Sequence, residues 1–115
     1  MRSDDQVVSG SAPAVIDSYF RSVNEDDTDA LVACFTSDAE VTDESRTRRG
    51  PEEIRAWREE TKAYRYTAEV LGIERDGDQY DVSTRLTGEF PGSPVEMPYL
   101  FTLRGALISR LDIRS

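Results

Sequence analysis

Residues 67–113 read TAEVLGIERDGDQYDVSTRLTGEFPGSPVEMPYLFTLRGALISRLDI, and the punctuation of this stretch decides the fold. β-branched residues recur through 67–75, and Asp76-Gly77-Asp78 supplies a hairpin turn into a second strand expected over 79–90. Phe90-Pro91-Gly92-Ser93-Pro94 breaks that strand. A third run over 95–104 places Val95, Met97, Tyr99, Phe101 and Leu103 at period two, which makes one face of it apolar. Gly105 turns the chain into a last strand ending near Ile113. Pro98 has no N–H to give a ladder, so it points to an edge strand or a bulge.

N-terminal to this meander the periodicity changes. Val15, Ile16, Tyr19, Phe20 and Val23 fall on one face of a helix. After a polar break, Ala30, Leu31, Cys34 and Phe35 repeat at three and four, the pattern of a second helix. Ala39, Val41 and Asp43 alternate with Glu40 and Thr42, which predicts a short strand leading into a charged loop over 44–49. Gly50-Pro51 opens a third helix, since Pro is accommodated in the first turn and Glu52 and Glu53 suit its positive end. Ile54 and Trp57 form its inward face. Helices followed by a strand meander describe an α+β domain, with three N-terminal helices packed on a curved, mostly antiparallel sheet.

The chain has 115 residues, enough for one core and too few for two. Residues 1–12 are polar and are expected to form a flexible arm, leaving 13–115 as the domain. Lys and Arg total 14 against 23 Asp and Glu, a net charge of -9 that repels phosphate backbones and anionic membranes, so neither nucleic acid nor membrane is an expected partner. The absence of histidine removes the commonest general base and zinc ligand together with every Ser/His or Cys/His arrangement. Proton chemistry must therefore use carboxylates, Tyr or Arg. The single cysteine, Cys34, sits among apolar positions and reads as a buried structural thiol. With no internal disulfide and no apolar N-terminal run, a cytoplasmic location is expected.

Several strings, taken in order, resemble the NTF2-like superfamily and its SnoaL-like branch. They are Tyr19-Phe20, Asp29-Ala30-Leu31 with Phe35, Asp38-Ala39-Glu40-Val41, and Arg49-Gly50 with Ile54 and Trp57. The resemblance spans about residues 13–113 and implies a cone-shaped fold. It also implies a hydrophobic pocket between the helices and the concave sheet face, open to a small hydrophobic ligand. Gly88-Glu89-Phe90-Pro91-Gly92-Ser93-Pro94 looks like a hallmark of a subgroup.

The resemblance also ranks the residues. Asp43 follows Asp38-Ala39-Glu40-Val41 where the ketosteroid isomerase branch keeps its proton-abstracting aspartate, and a carboxylate deprived of water at an apolar mouth is a stronger base towards a carbon acid. Tyr19 matches the helix-one tyrosine that supports oxyanion binding. The isomerases' acidic oxyanion donor has no counterpart in Met97-Pro98-Tyr99. Phe35, Trp57, Tyr64, Tyr99 and Phe101 are the aromatic candidates for the ligand-binding wall, and Asp112 is placed there by its late strand alone. Arg46, Arg48 and Arg49 form a basic cluster that either binds an anion or pairs with Glu44, Glu52 and Glu53. Arg85 is expected to make cross-strand ion pairs. No metal or cofactor is called for.

Two functions stay open at this point. One is a cofactor-independent isomerase- or cyclase-type enzyme that moves a proton on a small hydrophobic substrate through Asp43. The other is a non-catalytic small-molecule-binding or dimerisation module. A homodimer is expected in either case, because apolar alternation over 95–103 and 107–113 is read as leaving an apolar outer face on the sheet.

Overall fold

The computed structural model describes residues 12–114. The elements follow the order α1 (Ala14–Asn24), α2 (Thr28–Ala33), β1 (Phe35–Asp43), β2 (Arg46–Arg49), α3 (Gly50–Thr61), a 3-10 turn (Lys62–Tyr64), β3 (Thr67–Asp76), β4 (Gln79–Thr87), β5 (Val95–Arg104) and β6 (Leu107–Ile113). They form one 6-stranded sheet in the order β2-β1-β6-β5-β4-β3. Only β1 and β6 run parallel; every other pair is antiparallel. The three helices cover one face. No helix among the described residues is long and apolar enough to cross a membrane. Of the arm expected over 1–12, residues 1–11 lie outside the described residues, while Ala12 is partly buried against the core.

Alternation sorts the sheet into an inner and an outer face. Ala39 and Val41 of β1, Val82 and Leu86 of β4, Tyr99 and Phe101 of β5, and Ile108, Leu111 and Ile113 of β6 are buried. They meet Ile16, Tyr19, Phe20 and Val23 of α1 and Ile54 and Trp57 of α3 in one cluster. The Asn24 side chain ties the end of α1 to β3, donating to Ala68 O at 2.9 Å and accepting from Ala68 N at 2.7 Å. In this way a helix end satisfies part of an open strand edge.

Four expectations need correction. Phe35 begins β1 and does not continue α2, which ends at Ala33. The Cys34 carbonyl accepts from Ile108 N at 2.8 Å, drawing the chain into the sheet, and an apolar run this short fits either period. The charged stretch over 44–49 is a hairpin, with Asp43 opposite Arg46 and both turn residues, Glu44 (φ 53) and Ser45 (φ 64), left-handed. That is the two-residue primed turn, made here without the Asn-Gly or Asp-Gly signal that would announce it. Pro98 lies in an interior strand opposite Ser83. The Pro98 carbonyl accepts from Arg114 N at 3.1 Å, one residue past the last β5–β6 pair, Tyr99 with Ile113. A residue's N–H and C=O point to the same side of a strand, so the missing N–H faces the place where β6 runs out.

The fourth correction concerns the outer face. Val95, Met97, Tyr99, Phe101 and Leu103 turn towards the helices, and Tyr99 and Phe101 are buried there. The outer face of β3, β4 and β5 instead carries charges, with Arg85 bridging Glu69 at 3.2 Å and Glu96 at 3.3 Å.

Phe101 has no exposed surface and packs its ring against Tyr19 and Phe20 at centroid distances of 5.4 and 5.8 Å. Phe101→Ala is expected to lower the unfolding free energy by about 3–5 kcal/mol in urea melts. A loss below about 1 kcal/mol would contradict this account of the core.

Candidate functional site

The helical layer stops short of one end of the sheet, and a cleft of about 280 Å³ opens there. Strand parity decides which side chains enter it. Asp43 has the parity of Ala39 and Val41, and its register partner Ile113 is in turn opposite Tyr99. Asp43, Ile113 and Tyr99 therefore form one row on the inner face, and all three line the cleft. Trp57 and Thr61 of α3, Tyr64 and Tyr66 of the connection to β3, and Leu86, Phe90 and Met97 complete the wall.

Asp43 is half-buried at the mouth, and its Oδ2 accepts from Trp57 Nε1 at 3.0 Å. Its other oxygen has no hydrogen-bond partner among the described residues and stays available as an acceptor. On the far side Asp43 borders a smaller recess of about 120 Å³ shared with Arg46, Arg48 and Glu60. Arg48 Nη2 donates to Glu60 Oε1 at 2.9 Å, and the Arg49 guanidinium pairs with Glu40. Two of the three arginines in the basic cluster are thus committed to acids within the fold.

Behind the cleft lies a cluster of polar groups in an apolar setting. Tyr19 has no exposed surface, and its hydroxyl has no partner among the described residues. Burial pushes the Tyr19 phenol well above its ordinary value; nearby Tyr99, Tyr66 and Asp43 reinforce the shift and Arg58 opposes it. Burial likewise raises Tyr99 well above the ordinary value, with Tyr66 and Asp43 adding to it and Arg58 again opposing. Both phenols are therefore held protonated, as donors. Arg58 is the only charged side chain among the described residues that the fold buries. Its Nη1 donates to the Tyr66 hydroxyl at 3.1 Å and its Nη2 to Val23 O at 3.2 Å.

The structure thus brings Asp43, Trp57, Tyr64 and Tyr99 together around one opening and sets Tyr19 beneath it. Phe35 and Phe101 lie in the core against Tyr19, at 6.1 and 5.4 Å between ring centroids. Asp112 has the opposite parity. It borders a wider groove of about 550 Å³ on the outer face and accepts from Arg114 Nη2 at 3.1 Å. That groove is larger than the cleft but is lined mostly by charged, solvated side chains. Cys34 is buried and donates to Ala30 O at 3.3 Å, and burial pushes its thiol up, away from thiolate chemistry.

Sequence reasoning missed Tyr66, Arg58 and the role of the loop after β4. Arg58 carried a signal, since with Ile54 and Trp57 it completes the i, i+3, i+4 stripe of α3 and a cation on that stripe is out of place. The loop gave a weaker one. A Cβ on Gly88 would lie 2.6 Å from Tyr66 Cα, so only glycine lets the loop press against Tyr66 and carry Phe90 and Pro91 to the cleft wall.

Comparison with known proteins agrees with this architecture. The sequence model of the SnoaL-like domain family matches residues 16–110. A Sinorhizobium meliloti protein provisionally described as a polyketide cyclase is 39% identical, with 90% of this chain and 95% of that one covered and a TM-score of 0.87. A Catenulispora acidiphila protein with a ketosteroid isomerase-like fold, solved with trimethylamine, is 21% identical over 91% and 87% of the two chains, with a TM-score of 0.79. The epoxide hydrolase/cyclase-like enzyme SalBIII, which acts in pyran ring formation in the polyether salinomycin, is 24% identical over 87% and 86%, with a TM-score of 0.77. The two last likenesses speak for the fold alone. No curated protein matches the chain.

The buried phenols generate an alkaline prediction. With folded-state values raised above the unfolded value of about 10, the stability they contribute is complete below that pH and is lost as the pH rises beyond it. Absorbance titration with circular dichroism should show a late phenolate phase that coincides with unfolding and shrinks in Tyr99→Phe. If Tyr99→Phe instead removes a phenolate that forms near pH 10 in the intact fold, the buried-donor account fails.

Proposed function

The chain belongs to the SnoaL-like domain family of the NTF2-like superfamily, and from that premise we propose that it is an acid–base enzyme of the isomerase or cyclase type. Its base is Asp43, and its substrate is a small hydrophobic molecule with an acidic C–H. One observation carries the reading. Parity and the Trp57 hydrogen bond set a carboxylate with one open oxygen at the mouth of an apolar cleft, beside phenols that burial keeps protonated.

The chemistry follows from that placement. The open oxygen of Asp43 takes a proton from carbon next to a carbonyl, and the electron pair moves to the carbonyl oxygen as an enolate forms. Tyr99 on the wall supplies a phenol proton that stabilises that oxygen, and Tyr19, buried beneath it, supports Tyr99 from the core. Asp43 then returns the proton at another carbon of the conjugated enolate, giving an isomer, or the enolate carbon attacks a second carbonyl carbon of the same molecule, whose C=O electron pair moves to its oxygen and takes the proton back from Asp43, giving a ring. Trp57 holds the carboxylate in place, while Tyr64, Phe90 and Met97 keep water from it. The provisional description of the 39% identical relative as a polyketide cyclase supports this substrate class.

A homodimer belongs to the same reading. No helix among the described residues covers the outer face of the sheet, where half-buried Leu100 and Thr102 lie between the charged rows. Light scattering at high micromolar concentration should give twice the 12.9 kDa chain mass, and the mass of a single chain would count against it.

The activity is tested with β-tetralone, a bicyclic ketone with acidic benzylic protons, in deuterium oxide. Proton NMR should show exchange at the carbon between ring and carbonyl faster than in buffer. Asp43→Asn should still bind the ketone and lose the acceleration by at least about 100-fold. Full acceleration by Asp43→Asn would rule out Asp43 as the base, and a wild-type chain that binds the ketone without accelerating exchange would transfer the reading to a non-catalytic binding module.

A further inference from the structure

The lining of the cleft contains five aromatic rings, two carboxylates and no cationic side chain. Asp43 is half-buried, and no Lys or Arg among the described residues forms an ion pair with it. Its register partner Arg46 is exposed, and Arg46 and Arg48 face the smaller recess on the far side, where Glu60 holds Arg48. Arg58 lies behind Tyr66 and is not part of the lining. A carboxylate taken part of the way out of water without a counter-ion is costly, and a cation delivered by a ligand offsets that cost.

The rings fit the same ion. A cation is drawn to the face of an aromatic ring, where the ring quadrupole concentrates negative charge. Trp57 is bonded to Asp43 through its indole N–H, so ring and carboxylate are held as one unit. At the rim Tyr64, 51% exposed, meets Phe90 edge to face, with 6.4 Å between centroids and 84° between the ring planes. Such a corner of perpendicular rings offers alkyl groups on a nitrogen both dispersion contact and ring charge. Glu44, at the turn after Asp43, adds the second carboxylate, while Leu86, Met97 and Ile113 give an apolar floor for the body of a ligand. The net charge of -9 attracts cations at longer range.

We propose that the cleft takes a hydrophobic organic ammonium ion, with Asp43 as its counter-ion and Trp57, Tyr64 and Phe90 around its nitrogen. This goes beyond the acid–base reading and shares with it only the cleft. An ion seated on the open oxygen of Asp43 occupies the place where a proton would arrive, so ammonium binding and proton abstraction exclude each other. A neutral hydrocarbon of the same shape gains the floor and the rim but leaves Asp43 uncompensated.

The test compares benzyltrimethylammonium with neopentylbenzene, in which a carbon replaces the charged nitrogen and the shape is kept, each titrated by Trp57 fluorescence. The wild-type chain should bind the cation roughly tenfold more tightly than the hydrocarbon. Asp43→Asn, which keeps an oxygen for the Trp57 indole, should lower that ratio roughly fivefold and leave the hydrocarbon affinity unchanged. Tyr64→Leu, at an exposed position, should lower it roughly threefold, the value of one cation–π contact. Diffuse attraction to the net charge would survive the loss of a single carboxylate, so a ratio unchanged by either substitution overturns the inference, as does equal or weaker binding of the cation by the wild type. Should Asp43→Asn fail to fold, Tyr64→Leu decides alone. The cation should also suppress β-tetralone exchange competitively, and binding without suppression overturns the inference. Failure of both probes to bind overturns the cleft beneath it, whereas failure of β-tetralone exchange with the cation preference intact overturns only the proton-transfer reading.

Discussion

The hydrogen bond from Trp57 Nε1 to Asp43 Oδ2 is the interaction on which the cleft depends. It closes a local unit in which β1 turns through Glu44 and Ser45 into β2, and β2 leads without a loop into α3. The Glu53 carboxylate accepts from Arg49 N at 2.8 Å and secures the helix start, so the direction of α3, and with it the position of Trp57, is set by the hairpin. Since Trp57 is buried and its indole N–H needs an acceptor, the bond satisfies the core and orients the carboxylate at once. Loss of the hairpin register would move Asp43 to the outer face and leave the indole unpaired.

Around that bond the molecule sets two environments against each other. The inner face of the sheet is apolar and well packed at its centre, with Tyr19, Phe101, Leu111 and Val41 free of solvent. At the open end that face and the elements packed on it bring together Asp43, Arg58 and the hydroxyls of Tyr19, Tyr66 and Tyr99, whose charges and dipoles act on one another across a medium poor in water. A hydroxyl without a partner among the described residues, as on Tyr19, lowers stability relative to a filled apolar core. Such groups concentrated beside a cleft, and not spread through the core, are what a site that binds oxygen and moves protons requires.

Most of this fold could be read in the sequence, because the signals were local. Asp76-Gly77-Asp78 marked the β3–β4 turn, Gly50-Pro51 the start of α3, and alternation from Val95 to Leu103 the strand β5. What escaped depended on partners far along the chain. Nothing near Phe35 says that Ile108 will claim the neighbouring carbonyl, and Glu44-Ser45 is an unmarked primed turn. Pro98 is tolerated only because β6 ends beside it. The site divides in the same way. Asp43 could be named from the family resemblance and Trp57 from its helical face, but their bond could not, and Asp112 was assigned by strand when parity put it on the other side. Arg58 was overlooked because a cation is by habit read as solvated, although its place on the stripe with Ile54 and Trp57 argued otherwise.

The most direct measurement of the central claim is the indole N–H resonance of Trp57, the chain's only tryptophan, in a nitrogen–proton correlation spectrum. The account predicts that Asp43→Asn shifts this resonance with little change in the backbone peaks of α1 and β4. It also predicts that β-tetralone moves the wild-type resonance saturably. An indole resonance that ignores both the substitution and the ketone would show that Trp57 and Asp43 do not share a site, and the cleft as described would not exist.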